Sequence, residues 1–372
     1  MSLRPVPWPE PSGEITRVVA AIYAGRRVPL PVAVRDELGE VFADGQFVSV
    51  FADRGPRGWS PGRLMLVTVL QAVEGLTDRQ AAEAVRDKLS WKYALGLELT
   101  DTGFDASVLS EFRTRLVTHG LQTRVLDLLV ARLVEQGLLK AGGKQRTDST
   151  HVLAAVRLLN QVELVGESVR ACLESIAAAD PGWVSRVLDT GWQHRYGSRI
   201  DSWQLPSSKT KRAALGNDFA RDGHAVLHAV WHPSSPGWLR ELPAVEVLRQ
   251  VLVQQTKITT GRDGQEVITL RDAQHDGLPP GRTRIVSPYD LDARWGGKRD
   301  LVWCGYKLHV SESCDADPTH PATSGDPIPG QPPNLITNVA TTDASVPDTT
   351  MTASIHHDLT RRGLRPGEHY LD

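Results

Sequence analysis

Apolar residues recur at helical spacing through the first third of the chain, and the breaks fall at glycine and proline. Helical pieces are predicted around Ile15–Tyr23 and Val32–Phe42, broken by Pro29 and Pro31, before the loop Arg54-Gly55-Pro56-Arg57-Gly58. Ser60-Pro61 reads as an N-cap followed by a first-turn proline, opening a helix over Arg63–Glu74 that stops at Gly75. Thr77-Asp78-Arg79-Gln80 is a capping box for the next helix, to about Leu89. Ser90–Leu95 is a short helix ended by Gly96. Asp105 or Ser107 starts another over Val108–Thr118, ended by Gly120. Leu121, Val125, Leu128, Leu129 and Leu133 mark one face of a last helix ending near Gly137. Such an array suits a DNA-binding or dimerisation module, and equally any small helical bundle.

After Gly142-Gly143 the pattern changes. Arg146-Thr147-Asp148-Ser149-Thr150-His151-Val152 is short, polar and β-prone, as a strand emerging into a site would be. Alternation puts Asp148 on one face and Thr147 and Ser149 on the other. Residues 155–258 return to helical spacing, with helices over Ala154–Ser168 and Val169–Ala179, a break at Pro181, and Val245–Val253 with Val245, Leu248 and Leu252 on one face. The stretch 259–280 is polar and rich in turn residues. From 281 the period is strand-like: Thr283–Ser287, Leu301–Val310, and Leu335–Thr341 after the Pro/Gly-rich loop 315–333. Thr352–Arg362 reads as a helix and His369–Leu371 as a strand that runs into Asp372. The prediction is an α/β protein: a helical N-terminal region over 14–140, then a mixed core over 141–372 carrying a mostly helical insertion at 155–280 after its first strand. Residues 1–13 are expected to be a disordered leader.

Composition narrows this picture. With 372 residues the chain is long enough for two or three domains with real cores. A net charge of −2 and a pI of about 6.6 give no global basic footprint, which counts against a nucleic-acid packaging protein and leaves room for local basic patches. Arginine far outnumbers lysine, favouring bidentate phosphate contacts where exposed, although a GC-rich genome produces the same bias. Cys172, Cys304 and Cys314 form neither a disulfide framework nor a zinc motif, so a reducing cytoplasm is expected. The N-terminus is not a signal peptide and no apolar run approaches a membrane span. Seven of the ten tryptophans fall after residue 180, which suggests packing there rather than a stacking platform.

The candidate chemistry lies in two acids at strand ends, Asp148 and Asp372. Carboxylates from distant parts of a sequence are what a two-metal phosphoryl-transfer site uses, because Mg²⁺ takes hard oxygen ligands and two ions stabilise the attacking and leaving oxygens. Spacing alone is weak evidence, since strand-end acids are commonly turn groups. His224, His228 and His232 share one helical face, but no Glu or Cys partner stands near them in the sequence, so a solvated or packed face is the favoured reading. Lys307 and His309 alternate onto one side of a strand beside the expected site. They touch DNA phosphate or belong to a half-exposed edge strand. Arg79, Arg113 and Arg115 are candidate DNA contacts, with a solvated helix face as the alternative.

Several strings, in order, resemble bacterial insertion-sequence DDE transposases. They are Ser287-Pro288-Tyr289-Asp290-Leu291-Asp292-Ala293-Arg294, Lys298-Arg299, Trp303-Cys304-Gly305-Tyr306-Lys307-Leu308-His309, Leu335 to Thr342 followed by Asp348, and Pro366-Gly367-Glu368-His369-Tyr370-Leu371-Asp372. Leu76 to Ala81 and Ser107 to Leu116 resemble the helical domain that precedes catalysis in that family. Arg195-Tyr196-Gly197, Trp203-Gln204-Leu205-Pro206 and Leu242 to Glu246 match a subgroup with a helical insertion. Leu291 stands where the family usually has proline.

The resemblance implies a ribonuclease-H-like catalytic fold in which Asp148 and Asp372 bind Mg²⁺ or Mn²⁺. It also implies strand cleavage and transfer at the inverted repeats of an insertion sequence, with target DNA as second partner. A homo-oligomer when full length, and a bacterial cytoplasmic, nucleoid-associated location, are expected. The family's third acid, a Glu on a later helix, has no counterpart here. The sheet is therefore expected to be incomplete, the protein to be truncated at its C-terminus, and its DNA cleavage to be absent unless Asp292 or Glu312 substitutes. A non-catalytic DNA-binding remnant that competes for element ends, and an unrelated ribonuclease-H-like nuclease, are the alternatives.

Overall fold

The structure is a computed structural model that describes residues 2–187, 190–298, 300–314 and 334–371. The mixed α/β fold expected from the sequence is what it contains. The polypeptide divides into two compact units, Met1–Arg146 with Glu312–Asn338 and His356–Tyr370, and Thr147–Ser311 with Val339–Ile355 and Leu371–Asp372.

The first unit opens with helices α1 (Gly13–Tyr23), α2 (Leu30–Leu38), α3 (Pro61–Glu74), α4 (Asp78–Asp87), α5 (Leu89–Leu95), α6 (Ser107–Thr118) and α7 (Arg124–Glu135). The caps are the predicted ones: Ser60 Oγ accepts from Arg63 N, Thr77 and Gln80 form the capping box, and Gly75 and Gly96 close their helices at left-handed φ. Pro31 does not interrupt a helix. It sits in the first turn of α2, where its missing N–H costs nothing, and α2 ends early at Gly39. The core gathers Phe42, Phe47, Met65, Leu70, Val85, Trp91, Leu95 and Leu109. Each fully buried apolar side chain of this size contributes roughly 1.5–3 kcal/mol. Trp8, inside the expected leader, joins this core at 6% exposure. Burial of that indole ties residues 2–12 to the helices.

Strand β1 (Lys144–Leu153) begins in this unit and continues in the second. Gln145 is buried and bridged on both sides, accepting from Thr337 Oγ1 at 2.6 Å and donating to the Leu364 carbonyl at 3.1 Å. Arg362 reaches Asp127 of α7 at 2.8 Å.

The second unit contains α8 (Gln161–Ala179), α9 (Pro181–Val187), α10 (Thr190–Tyr196), α11 (Lys209–Trp231), α12 (Pro243–Gln255) and a hairpin of β2 (Thr256–Thr260) and β3 (Glu266–Leu270). The helix pair expected over 154–179 is one helix. Asn160 caps it in a capping box with Glu163, so residues 154–160 stay outside. Glycines let the helices approach: a Cβ on Gly166 would sit 2.8 Å from Phe219, and one on Gly223 3.0 Å from Leu252. Buried Glu167 accepts from Ile200 N, Arg170 Nε and the Tyr289 hydroxyl, which spreads its charge over three donors. Tyr289 of the Ser287–Arg294 string thereby has a structural role.

Strands β4 (Arg294–Lys298), β5 (Leu301–Ser313), β6 (Ile336–Asp343) and β7 (Glu368–Leu371) complete a sheet of order β4-β5-β1-β7, with β6 also on β5; α13 (Thr352–Arg361) precedes β7. The strand expected at 283–287 does not form, because Ile285 N donates to the Gln254 side chain instead of a ladder. β4, with two glycines, and the polar β2–β3 hairpin were not anticipated. Among the described residues no helix is long and apolar enough to cross a membrane.

Candidate functional site

Along β1 burial alternates at first: Gln145 and Thr147 are buried and Asp148 is exposed. Thr147 Oγ1 meets Ser311 Oγ at 2.6 Å, which fixes β1 against β5. Asp148 Oδ1 accepts from the Ser149 amide at 2.7 Å, and among the described residues its carboxylate has no cationic partner.

Beside it stands an acid that the sequence shows only as the tail of a motif. Asp348 Oδ2 accepts from Ser149 Oγ at 2.8 Å, and Asp348 Oδ1 pairs with Lys307 Nζ at 3.0 Å. Burial alone would raise its pKa, but the hydrogen bonds from Lys307 and Ser149 outweigh burial and hold the carboxyl below its usual range. Lys307 also donates to the Val346 carbonyl at 2.8 Å. Thr147, Asp148, Ser149, His309, Asp348 and Leu371 all line one small hollow.

The reading of His309 as a DNA contact or edge-strand residue changes. It is 2% exposed and faces Thr342 Oγ1 at 3.1 Å, because β5 is flanked by β4, β1 and β6. Burial pushes its pKa down. A neutral, covered imidazole offers nothing to a DNA phosphate. Lys307, likewise, spends its charge on Asp348.

Two helical arginines are engaged within the protein. Arg113 grips Asp78 with both nitrogens, at 2.9 and 2.6 Å. Arg115 donates to the Val50 carbonyl and stacks 4.7 Å from the Phe51 ring. Both are parts of the helical fold rather than open cations. Arg79 is exposed. His224, on α11, meets Thr256 Oγ1 at 3.0 Å and burial lowers its pKa, in keeping with a packed histidine.

Residues 25–115, about a quarter of the sequence, match the family model described as a transposase domain, DUF772. The match supports a transposase. It covers the array from just before α2 to within α6, including the Thr77 capping box and Arg113. No curated protein matches the sequence, and no solved structure matches it.

Whether the residues around β1 suit a divalent cation depends on donor count. The described part of the site offers the Asp148 carboxylate, hard oxygen with one acceptor already engaged, and Asp348, already neutralised by Lys307. Among the described residues no three His, Cys, Asp or Glu groups converge as a metal cluster. Those residues alone do not make a metal site. Asp372, the expected second ligand, lies outside the described residues; Leu371 before it lines the hollow with Asp148. Asp292 is exposed, and Glu312 is held by Arg146 Nε at 2.5 Å.

Proposed function

We propose that the protein acts on DNA as a transposase of the DDE type, on a ribonuclease-H-like sheet. Asp148 and Asp372 would be the carboxylates that hold Mg²⁺ or Mn²⁺, and the inverted repeats of an insertion sequence would be the substrate. One observation carries the catalytic half: of the two acids in the β1 hollow, Asp348 is neutralised by Lys307 while Asp148 is exposed without a cationic partner among the described residues. The transposase-domain match at 25–115 carries the DNA half. When bound, the metal would supply Lewis-acid stabilisation of phosphoryl oxygens. The protein's part would be to hold Asp148 rigidly, through the Thr147–Ser311 bond and the Ser149–Asp348–Lys307 relay. Two carboxylates bind such an ion weakly and leave a second ion under-coordinated, so the proposal includes weak or absent cleavage by these two acids alone.

The test pairs two titrations. Duplexes carrying the element's ends should bind more tightly than scrambled duplexes of the same composition. Mn²⁺ binding, read from the loss of the free-ion electron paramagnetic resonance signal, should weaken in Asp148→Asn. End preference with Mn²⁺ binding untouched by Asp148→Asn would favour a non-catalytic end-binding protein. Loss of both would sink the reading.

A further inference from the structure

Many arginines of this protein find a carboxylate, but three that meet at one hollow do not. Segments 3–6, 57–63 and 101–103, with Asp44, line an open hollow of about 310 Å³ with a mainly polar wall, and Arg4, Arg57 and Arg63 are all part of that wall. None of the three makes a side-chain hydrogen bond or ion pair with the described residues, in contrast to Arg113 with Asp78, Arg157 with Glu163 and Arg195 with Asp222. Arg63 Nε is fully covered and unpartnered among the described residues. Leaving such a donor unpaired is costly; Arg157 Nε and Arg35 Nη1 share this state, but each of those arginines has a carboxylate on another nitrogen, and Arg63 has none.

The hollow is built, not incidental. Ser2 N donates to the Pro56 carbonyl at 2.8 Å, Gly58 N donates to the Ser2 carbonyl at 3.1 Å, and Ser2 Oγ donates to the Gly55 carbonyl at 2.7 Å. These bonds dock the N-terminal segment on the loop 54–58 and bring Arg4 to Arg57. Asp44 Oδ1 accepts from Ser60 Oγ at 2.6 Å and Gly62 N at 3.1 Å, fixing the start of α3 and so the base of Arg63. Buried Lys92 donates to the Glu98 and Asp101 carbonyls and fixes the third wall. Two acids, Asp44 and Asp101, also line the hollow. Asp44 is engaged by Ser60 and Gly62, and Asp101 Oδ1 accepts from Gly103 N at 2.8 Å. Three guanidinium groups against two engaged carboxylates leave a net positive, polar space. Burial lowers the Arg63 pKa, with Arg35 adding to the effect, and Asp44, Asp101 and Glu40 oppose it.

We infer that Arg4, Arg57 and Arg63 form a phosphate-binding site. Guanidinium forks match phosphate oxygens in pairs, and a polar wall of this kind does not suit an apolar ligand. The phosphate comes either from the DNA backbone or from a free anion. The backbone source rests on the DNA reading above, since the hollow lies largely within the segment that matches the transposase domain.

The experiment uses the 372-residue protein in two arms. In the first, a fluorescent duplex is titrated across salt concentrations. Arg57→Ala and Arg4→Ala should each weaken binding on the order of tenfold, uniformly across sequences, and each should reduce the slope of log affinity on log salt by about 0.9. Arg57→Lys should restore the slope and only part of the affinity, because the charge returns without the fork. In the second arm, inorganic phosphate is followed by the broadening of its ³¹P resonance, which should disappear in Arg57→Ala. Arg4 and Arg57 are exposed, so their variants should melt with the parent; Arg63→Gln is a further variant to be read only if it does the same. Phosphate broadening lost in Arg57→Ala, with no duplex binding by the parent, would support a free-anion site and sink the DNA reading. Duplex binding whose affinity and salt slope ignore all three arginines, with no phosphate broadening, would overturn the site and leave the DNA reading standing.

Discussion

Gly305 lies in the string Trp303–His309 and is the position where the sheet under the candidate site is least forgiving. Its φ of +150° lies outside the range that side chains adopt readily. A Cβ built there would sit 2.1 Å from the Val152 carbonyl oxygen and 2.6 Å from Ala154 N, both backbone atoms of β1 or its end. No rotamer change relieves an overlap between a Cβ and a neighbouring backbone. Gly305→Ala therefore forces β1 away from β5. The strained φ costs about 1–3 kcal/mol. Overpacking costs about another 1–3 kcal/mol. The Ala154 N to Cys304 carbonyl bond beside it contributes about 1 kcal/mol if it breaks. The sum, about 3–7 kcal/mol, is a large share of the roughly 5–15 kcal/mol that stabilises a typical domain. Urea denaturation followed by circular dichroism should show the loss, and hydrogen exchange should show deprotection of peptides spanning Thr147–Leu153. Gly13→Ala is the control, since nothing lies within 4 Å of where its Cβ would be and it starts α1; it should change stability by no more than about 1 kcal/mol. If Gly305→Ala unfolds within about 1 kcal/mol of the parent and β1 stays protected, the close approach of the two strands is not what demands glycine.

Arg113→Ala should destabilise the helical unit by about 1 kcal/mol, because the bidentate pair with Asp78 is partly exposed, 40% and 30%, and so screened. Duplex affinity, compared at matched salt, should hold; a large affinity loss at unchanged stability would return Arg113 to the DNA surface. Gly62→Ala should lose about 3 kcal/mol or more, the scale of a severe core mutation, since its Cβ would lie 1.9 Å from the Phe42 carbonyl oxygen; a soluble variant melting with the parent would contradict this. Stability should also fall as pH drops below about 6.5, the ordinary histidine value. Burial holds His224 and His369 below that value in the folded protein, with the neighbouring His356 adding to the effect on His369, so the unfolded state takes up protons first. The stabilisation is complete above the unfolded pKa and is lost as pH falls through the lower folded values. Thermal melts between pH 7 and 5 check it, and a flat melting temperature, or an unchanged slope in His224→Gln, would count against the burial argument.

What the sequence reveals about this protein is mostly local. Ser60-Pro61, the Thr77 capping box and Gly75 act within one turn, so their chemistry could be read directly and the helices lie where it placed them. Strand alternation, a two-residue rule, anticipates buried Thr147 beside exposed Asp148, but it stops there: residues 150–153 are all exposed, and Thr147, Asp148 and Ser149 line one hollow. Long-range pairing was not legible. Arg113 looked like a free cation because its partner, Asp78, sits 35 positions earlier, and Lys307 because Asp348 sits 41 positions later. Trp8 read as part of a leader because proline-rich surroundings hide how deeply one indole is buried. The β2–β3 hairpin was missed because burial is graded along it, from the paired Thr256 and Leu270 outward, instead of alternating, which leaves a polar string without a period of two.

The same distinction sorts the charged residues into those that hold the fold and those that face outward for a ligand. A charge whose partner is already present inside the protein has its interaction free energy committed to folding; removing the partner leaves a cost, and no ligand can gain from it without breaking the pair. Arg113, Arg362, Lys307 and Asp348 are of this kind. Asp148, and the group of Arg4, Arg57 and Arg63, are not, and their signs are opposite. An exposed carboxylate on a braced strand is suited to a cation, and three guanidinium groups around a polar hollow are suited to a phosphate. On the proposed DNA reading both kinds of group have a role, the carboxylate toward a cation and the arginines, which outnumber Asp44 and Asp101 at their hollow by one charge, toward the backbone. Arg63 and Asp148 belong to different compact units. Variants at one should therefore leave the other's ligand untouched: Asp148→Asn should not change the salt slope of duplex binding, and Arg57→Ala should not change Mn²⁺ affinity.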